Sequence, residues 1–76
     1  MKETIKNILA NINEDILIYQ GDNLYEAGLL DSLQVIELVV ELEEAFDVEI
    51  DPEEVRIENF CTVDAITNMM ERIKRN

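Results

Sequence analysis

The sequence contains no histidine and no tryptophan, a single cysteine, one proline and two glycines. Without histidine and with one cysteine, the chain lacks the ligand sets of the usual zinc sites and cannot form an internal disulfide. Few glycines and prolines, together with 47% apolar residues, are typical of a helical protein. Folding therefore depends on packing alone, and Cys61 is predicted to be a small core residue.

Positive charge is also scarce, since six Lys and Arg residues stand against 18 Asp and Glu residues, for a net charge of −12. No Lys or Arg occurs between Asn7 and Val55. Such a surface repels nucleic acid and anionic membranes, so neither is expected as a partner. It attracts proteins with Lys- or Arg-rich docking surfaces, and its like charge favours a monomer.

The sequence has no apolar run of transmembrane length and no signal peptide, which predicts a cytoplasmic protein. We expect one small domain over residues 1–76. Apolar residues recur at helical spacing, which predicts an all-α fold with helices over residues 2–13, 32–46, 52–57 and 63–74. The first could run on to Ile16 or Leu17. The expected architecture is a small four-helix bundle of three main helices and one short helix.

Two connecting regions are predicted to contribute to the core. A long loop joins the first two helices, and its apolar residues are expected to pack across them: Leu24, Tyr25, Ala27, Leu29 and Leu30. The short helix should begin with Asp51 as cap, Pro52 in the first position and Glu54 completing a capping box. Three apolar residues in and just after this helix are expected to face the core: Val55, Ile57 and Phe60. Thr62 should cap the last helix.

The helix over residues 32–46 carries the most informative pattern. Asp31 is placed to accept from the first-turn amides, and Gln34 to bond back to Asp31, as in a capping box. One face carries the stripe expected to reach the core: Val35, Leu38, Val39, Leu42, Ala45 and Phe46. The opposite face is unusual for a solvated surface, because Leu33 and Val40 stand among acidic residues: Glu37, Glu41, Glu44 and Asp47.

Ser32 lies in the first turn of this helix, where amide dipoles favour an anion such as a phosphate ester. Catalysis is not expected, because no histidine can take the serine proton and Leu30 replaces the glycine of a hydrolase elbow. The acidic residues form no calcium loop, so no metal site is predicted. On these residues alone two functions stay open: an acidic protein–protein adaptor without a prosthetic group, with Ser32 as a helix cap, and a protein modified at Ser32.

Three segments around Ser32 carry a family resemblance: Gly-Leu-Leu-Asp-Ser-Leu at 28–33, Glu-Leu-Val at 37–39 and Leu-Glu-Glu-Ala-Phe at 42–46. The chain resembles the acyl carrier and peptidyl carrier protein family over nearly its whole length. The resemblance implies that Ser32 carries a covalent 4′-phosphopantetheine arm, attached from coenzyme A by a magnesium-dependent phosphopantetheinyl transferase. It implies that Asp31 supports this modification. Five residues match positions that meet partner enzymes: Leu33, Glu37, Val40, Glu41 and Glu44.

The family's role implies a carrier and not an enzyme. The thiol of the arm holds an acyl or aminoacyl group as a thioester, and loading and condensing enzymes with basic docking surfaces carry out the chemistry. Gln34 stands where fatty-acid synthesis carriers often have an acidic residue. The Gly28-Leu29-Leu30 and Glu58-Asn59-Phe60 segments are more similar to peptidyl-type and D-alanyl carriers. A specialised acyl or aminoacyl pathway is therefore favoured over general fatty-acid synthesis.

Overall fold

The computed structural model describes residues 1–75, and within that range it contains helices and no strand. The prediction of an all-α four-helix bundle is confirmed. The helices are α1 (Lys2–Ile12), α2 (Ser32–Phe46), α3 (Ile57–Phe60) and α4 (Val63–Arg75), with 3₁₀ turns at Glu14–Ile18 and Pro52–Glu54. Within residues 1–75, every helix is too short or too polar to span a lipid bilayer.

The first helix ends where Asn13 becomes extended, with φ −160° and ψ 107°. The Asn13 side chain accepts from the Asp15 amide at 3.0 Å and so starts the following 3₁₀ turn. The predicted extension of the first helix towards Leu17 is therefore a separate turn. That turn buries Ile16 and leaves Ile18 75% exposed.

The long loop between α1 and α2 packs on the bundle, as predicted. Leu24 and Leu30 are buried, and Tyr25 and Leu29 pack partly against the core. The Leu24 amide donates to the Cys61 carbonyl at 2.7 Å, which ties the loop to the segment before α4. The prediction was wrong for Ala27, which is exposed, because the middle of this loop, from Glu26 to Gly28, faces solvent.

The core lies between α2, α4 and α1, and its largest side chains are fully buried: Phe60, Ile5, Leu9, Ile16, Leu24, Leu38, Leu42, Ile66, Met69 and Met70. Each such side chain contributes about 1.5–3 kcal/mol of transfer free energy. The predicted stripe of α2 was wrong for Ala45, which is exposed on the last turn. Cys61, predicted in the core, is partly exposed.

The segment before α4 departs most from the prediction. The expected helix over 52–57 is a 3₁₀ turn that ends at Glu54, and a separate α3 begins at Ile57. Asp51 accepts from the Glu53 amide, while the Glu54 carboxylate binds the Arg72 guanidinium at 2.9 Å instead of closing a capping box. This break turns Val55 and Ile57 outward, 40% and 57% exposed, contrary to the prediction. Two other predictions in this region are confirmed: Phe60 is buried, and Thr62 caps α4.

Candidate functional site at the start of the second helix

The start of α2 is fixed by a reciprocal pair of hydrogen bonds. The Gln34 amide donates to the Asp31 carboxylate at 2.9 Å, and the Asp31 amide donates to the Gln34 side-chain oxygen at 3.1 Å. This capping box confirms the prediction for Asp31 and Gln34. Because Asp31 occupies the cap position, Ser32 is the first helical residue and has no capping task.

Ser32 is exposed on the first turn of the 15-residue helix α2. The first turn of the helix carries no acidic residue. The unpaired amides there favour an anion by about 0.3–1 kcal/mol. A phosphate ester on Ser32 would therefore be stabilised by the helix end.

The outward face of α2 presents the five predicted partner-binding residues. Leu33 and Val40 are 72% and 47% exposed, Glu37 and Glu44 are exposed, and Glu41 is partly buried. We call these five residues, Leu33, Glu37, Val40, Glu41 and Glu44, the docking face. The structure brings them together along one side of the helix, as their spacing predicted.

One exposed apolar residue of α2 was missed by the sequence analysis. Ile36 is 60% exposed and lies between Ser32 and Val40 on the helix surface. Leu33, Ile36 and Val40 follow the i, i+3, i+7 spacing, so a second apolar stripe was visible in the sequence. Ile36 falls at the boundary between the core stripe and the acidic face, so helical spacing alone does not assign it to either.

A shallow groove opens on the α3 side of α2. It is lined by Tyr25, Ser32, Val35, Ile36, Val55, Arg56 and Ile57, and we call it the Ser32 groove. A second depression on the α1 side is lined by Asn11, Ile12, Ile36, Glu37, Val40 and Glu41. Ile36 borders both depressions, so the apolar surface of α2 extends from the docking face to Ser32.

Comparison with known proteins identifies the family to which the chain belongs. The model of the phosphopantetheine attachment site matches residues 3–70. The chain belongs to this carrier-protein family. Its cofactor is a covalent 4′-phosphopantetheine, and the resemblance that the sequence carried is confirmed.

Similar carriers include D-alanyl carrier proteins from three genera. The protein from Streptococcus suis (strain 05ZYH33) is 37% identical over 67 residues, which cover 87% of this chain and 85% of the relative. The protein from Listeria welshimeri is 31% identical over 75 residues, or 96% of each chain. The protein from Lactococcus lactis subsp. cremoris is 39% identical over 72 residues, with 87% and 86% covered.

The residues around Ser32 fit the cofactor of this family. A carrier needs an accessible hydroxyl for the phosphodiester, and Ser32 provides one at a helix end that favours phosphate. The Ser32 groove adds apolar surface next to that residue. Within residues 1–75, no cluster of three or more His, Cys, Asp or Glu side chains could hold a metal ion.

Three side chains of the carrier have shifted pKa values: Tyr25, which lines the Ser32 groove, and the hydrogen-bonded pair Lys2 and Asp64. Burial raises the pKa of the Tyr25 hydroxyl, with a smaller contribution from the nearby Cys61. Between the first turns of α1 and α4, the Lys2 ammonium donates to the Asp64 carboxylate at 2.8 Å. This hydrogen bond lowers the pKa of Asp64 and raises the pKa of Lys2.

Proposed function

We propose that this carrier holds a D-alanyl group as a thioester on a 4′-phosphopantetheine arm attached to Ser32. The single observation that supports the attachment point is the Asp31 capping box, because it leaves Ser32 exposed and without a structural task. The D-alanyl carrier relatives, which align over most of their own length, support the cargo. Gln34, which departs from the acidic residue of many fatty-acid carriers, agrees with this choice.

The residues of the chain position the arm and supply charged groups around it, but they carry out no chemical step. The thiol of the bound arm supplies the thioester that activates the carboxyl group for transfer. The Ser32 hydroxyl needs a base from the transferase, because the carrier has no histidine. Asp31 stands next to the hydroxyl with its carboxylate already oriented by Gln34. We propose that this carboxylate also meets the transferase's metal during attachment.

The docking face supports transient recognition of several enzymes. Its glutamates attract Lys- and Arg-rich surfaces and raise association rates at low salt. Leu33, Ile36 and Val40 give each complex a small apolar contact. We propose that a D-alanine-activating enzyme and the enzyme that accepts the D-alanyl group bind this face in turn.

Attachment is tested by incubating the chain with coenzyme A and a promiscuous phosphopantetheinyl transferase, followed by intact mass spectrometry. We expect one phosphopantetheine per chain and none on Ser32→Ala. An unchanged mass for the wild-type chain would favour an acidic adaptor without a prosthetic group. A mass gain that persists in Ser32→Ala would move the attachment to another residue.

Cargo is tested on the arm-bearing protein. Incubation with ATP, D-alanine and a D-alanine-activating enzyme from a D-alanyl carrier system should add one D-alanyl group. The matched reaction uses malonyl coenzyme A and a malonyl transferase of fatty-acid synthesis, and we expect much slower loading there. Faster malonyl loading would refute the D-alanyl assignment and leave the attachment to Ser32 intact.

A further inference from the structure

Ile36 lies at the border of two depressions that differ in charge. The Ser32 groove on the α3 side has no carboxylate in its lining. The depression on the α1 side, which we call the α1-side depression, is lined by Glu37 and Glu41 as well as by the apolar side chains of Ile36 and Val40. A partner with a positively charged surface is therefore drawn to the α1 side of the helix.

The last turn of α1 forms the other wall of the α1-side depression. Asn11 is exposed there, and Ile12 is partly buried with its side chain packed against the core. Neither residue belongs to the docking face, whose five residues all lie on α2. A side chain that fills the depression must touch both helices, so the surface available to a partner is wider than the docking face.

The two carboxylates in this depression have no cationic partner within the described part of the chain. Among residues 1–75, no Lys or Arg nitrogen lies within 4 Å of the Glu37 or Glu41 carboxylate. They stand one turn apart on α2, where like charges repel each other. Ile36 and Val40, which are 60% and 47% exposed, have the same spacing. The depression therefore offers a row of negative charge next to a row of apolar surface.

We propose that an enzyme that binds the docking face also contacts the last turn of α1, by placing an apolar side chain in the α1-side depression with a Lys or Arg side chain next to it. The proposal rests on the proposed function. The apolar side chain covers Ile12, Ile36 and Val40, and the cation pairs with Glu37 or Glu41. Contact with two helices fixes the orientation of the carrier on the enzyme better than contact with one helix.

Charge argues against two other occupants of this depression. The phosphodiester of the prosthetic arm is an anion, and the two carboxylates would repel it. A second copy of this chain carries a net charge of −12 and an acidic docking face of its own. A cationic enzyme surface is the occupant whose charge complements the depression.

Isoleucine methyl groups provide probes of the contact. Deuterated carrier with protonated isoleucine δ1 methyl groups and an arm on Ser32 is mixed with an unlabelled D-alanine-activating enzyme, and cross-saturation from the enzyme is measured at each methyl group. Ile12 and Ile36 report on the α1-side depression, and Ile57 reports on the α3 side. Ile18, which is 75% exposed and lies outside both depressions, is the control.

We expect strong attenuation of the Ile12 and Ile36 signals and weak attenuation of the Ile18 signal. If Ile36 is attenuated but Ile12 is attenuated no more than Ile18, the inference is overturned while the docking face stands. Stronger attenuation at Ile57 than at Ile12 would place the enzyme on the α3 side and would also overturn the inference. An unaffected Ile36 would count against the docking face itself.

Charge substitutions at Asn11 test the cation separately. Asn11→Lys adds a cation to the depression and Asn11→Glu adds a third carboxylate, whereas the same two changes at Asn68, exposed on α4, lie outside it. At low salt, we expect kcat/KM for D-alanine loading to fall roughly two- to fivefold in Asn11→Lys and to rise by a similar factor in Asn11→Glu, with smaller changes at Asn68. Circular dichroism checks that each variant is folded.

Equal effects at Asn11 and Asn68 would show only general steering by net charge and would overturn the contact with α1. The proposed function fails in a different way. A wild-type chain that accepts no arm on Ser32, or that accepts the arm but no D-alanine, would overturn that function and the inference with it.

Discussion

Replacing Asp31 by alanine should destabilise the chain, whereas replacing Ser32 by alanine should leave its stability unchanged. The Asp31 side chain accepts from the Gln34 amide and is half of the capping box. Loss of such a cap costs about 1 kcal/mol, within a range of about 0.5–2 kcal/mol. For a domain of this size, 1 kcal/mol lowers the melting temperature by about 4–8 °C. Ser32 is exposed and caps nothing, so its alanine variant should stay within about 0.5 kcal/mol of wild type.

Asparagine at position 31 separates the cap from the charge. Asn caps a helix about as well as Asp, so Asp31→Asn should keep nearly the wild-type melting temperature. The lost carboxylate also weakens the favourable contact with the helix dipole by about 0.3–1 kcal/mol. Relief of like-charge repulsion in a chain of net charge −12 offsets part of that loss.

The assay combines thermal unfolding with the rate of phosphopantetheine attachment, measured by intact mass for each variant. We expect Asp31→Asn to be stable but slowly modified, Asp31→Ala to be less stable and slowly modified, and Ser32→Ala to be stable and unmodified. Equal destabilisation by Ser32→Ala and Asp31→Ala would show that the serine caps the helix. Wild-type attachment to Asp31→Asn would show that the carboxylate serves the fold alone.

Three further predictions address recognition, packing and pH. Changing the three docking-face glutamates to glutamine should slow transferase loading at low salt, with equal rates at high salt; salt-independent slowing would refute steering. Phe60→Ala should cost about 3–5 kcal/mol in urea unfolding, whereas Ile57→Ala, at an exposed position, should cost under about 1 kcal/mol. Burial raises the pKa of Tyr25, so ionisation of its hydroxyl destabilises the folded state. The contribution of Tyr25 to stability is therefore present below pH 10 and is lost as pH rises through the raised pKa. Tyr25→Phe should therefore flatten the alkaline loss of melting temperature, and an unchanged profile would contradict this assignment.

The features that could be predicted from the sequence are those that local contacts determine. The capping box of α2 joins Asp31 and Gln34, three residues apart, and a short-range pattern suffices to identify it. The buried stripe of α2 also follows from periodicity, and Val35, Leu38 and Leu42 lie where it predicted. Exposure of Leu33 and Val40 follows from the same spacing.

The segment over residues 51–60 could not be predicted in this way, because distant contacts shape it. Glu54 binds Arg72, 18 residues further on, and accepts from the Asn59 side chain at 3.1 Å. These contacts compete with the local capping box that the sequence suggested. Once the turn ends at Glu54, the helical register restarts at Ile57, and the apolar pattern no longer says which side faces inward. The Ser32 groove depends on this break, and so the sequence analysis missed it.

The exposed apolar residues of α2 can contribute only a limited binding free energy to a complex with a partner enzyme. Full burial of a Leu, Ile or Val side chain is worth about 1.5–3 kcal/mol, and Leu33, Ile36 and Val40 are 72%, 60% and 47% exposed. Covering all three would therefore give roughly 3–5 kcal/mol. Association itself costs about 4–15 kcal/mol in lost freedom, so this apolar contact cannot sustain a complex alone. On the proposed function, the remainder would come from charge pairs with the docking-face glutamates, which salt screens, and from the partner's hold on the arm. A complex balanced in this way releases the carrier once the arm leaves the partner, which is what a shuttle between enzymes requires.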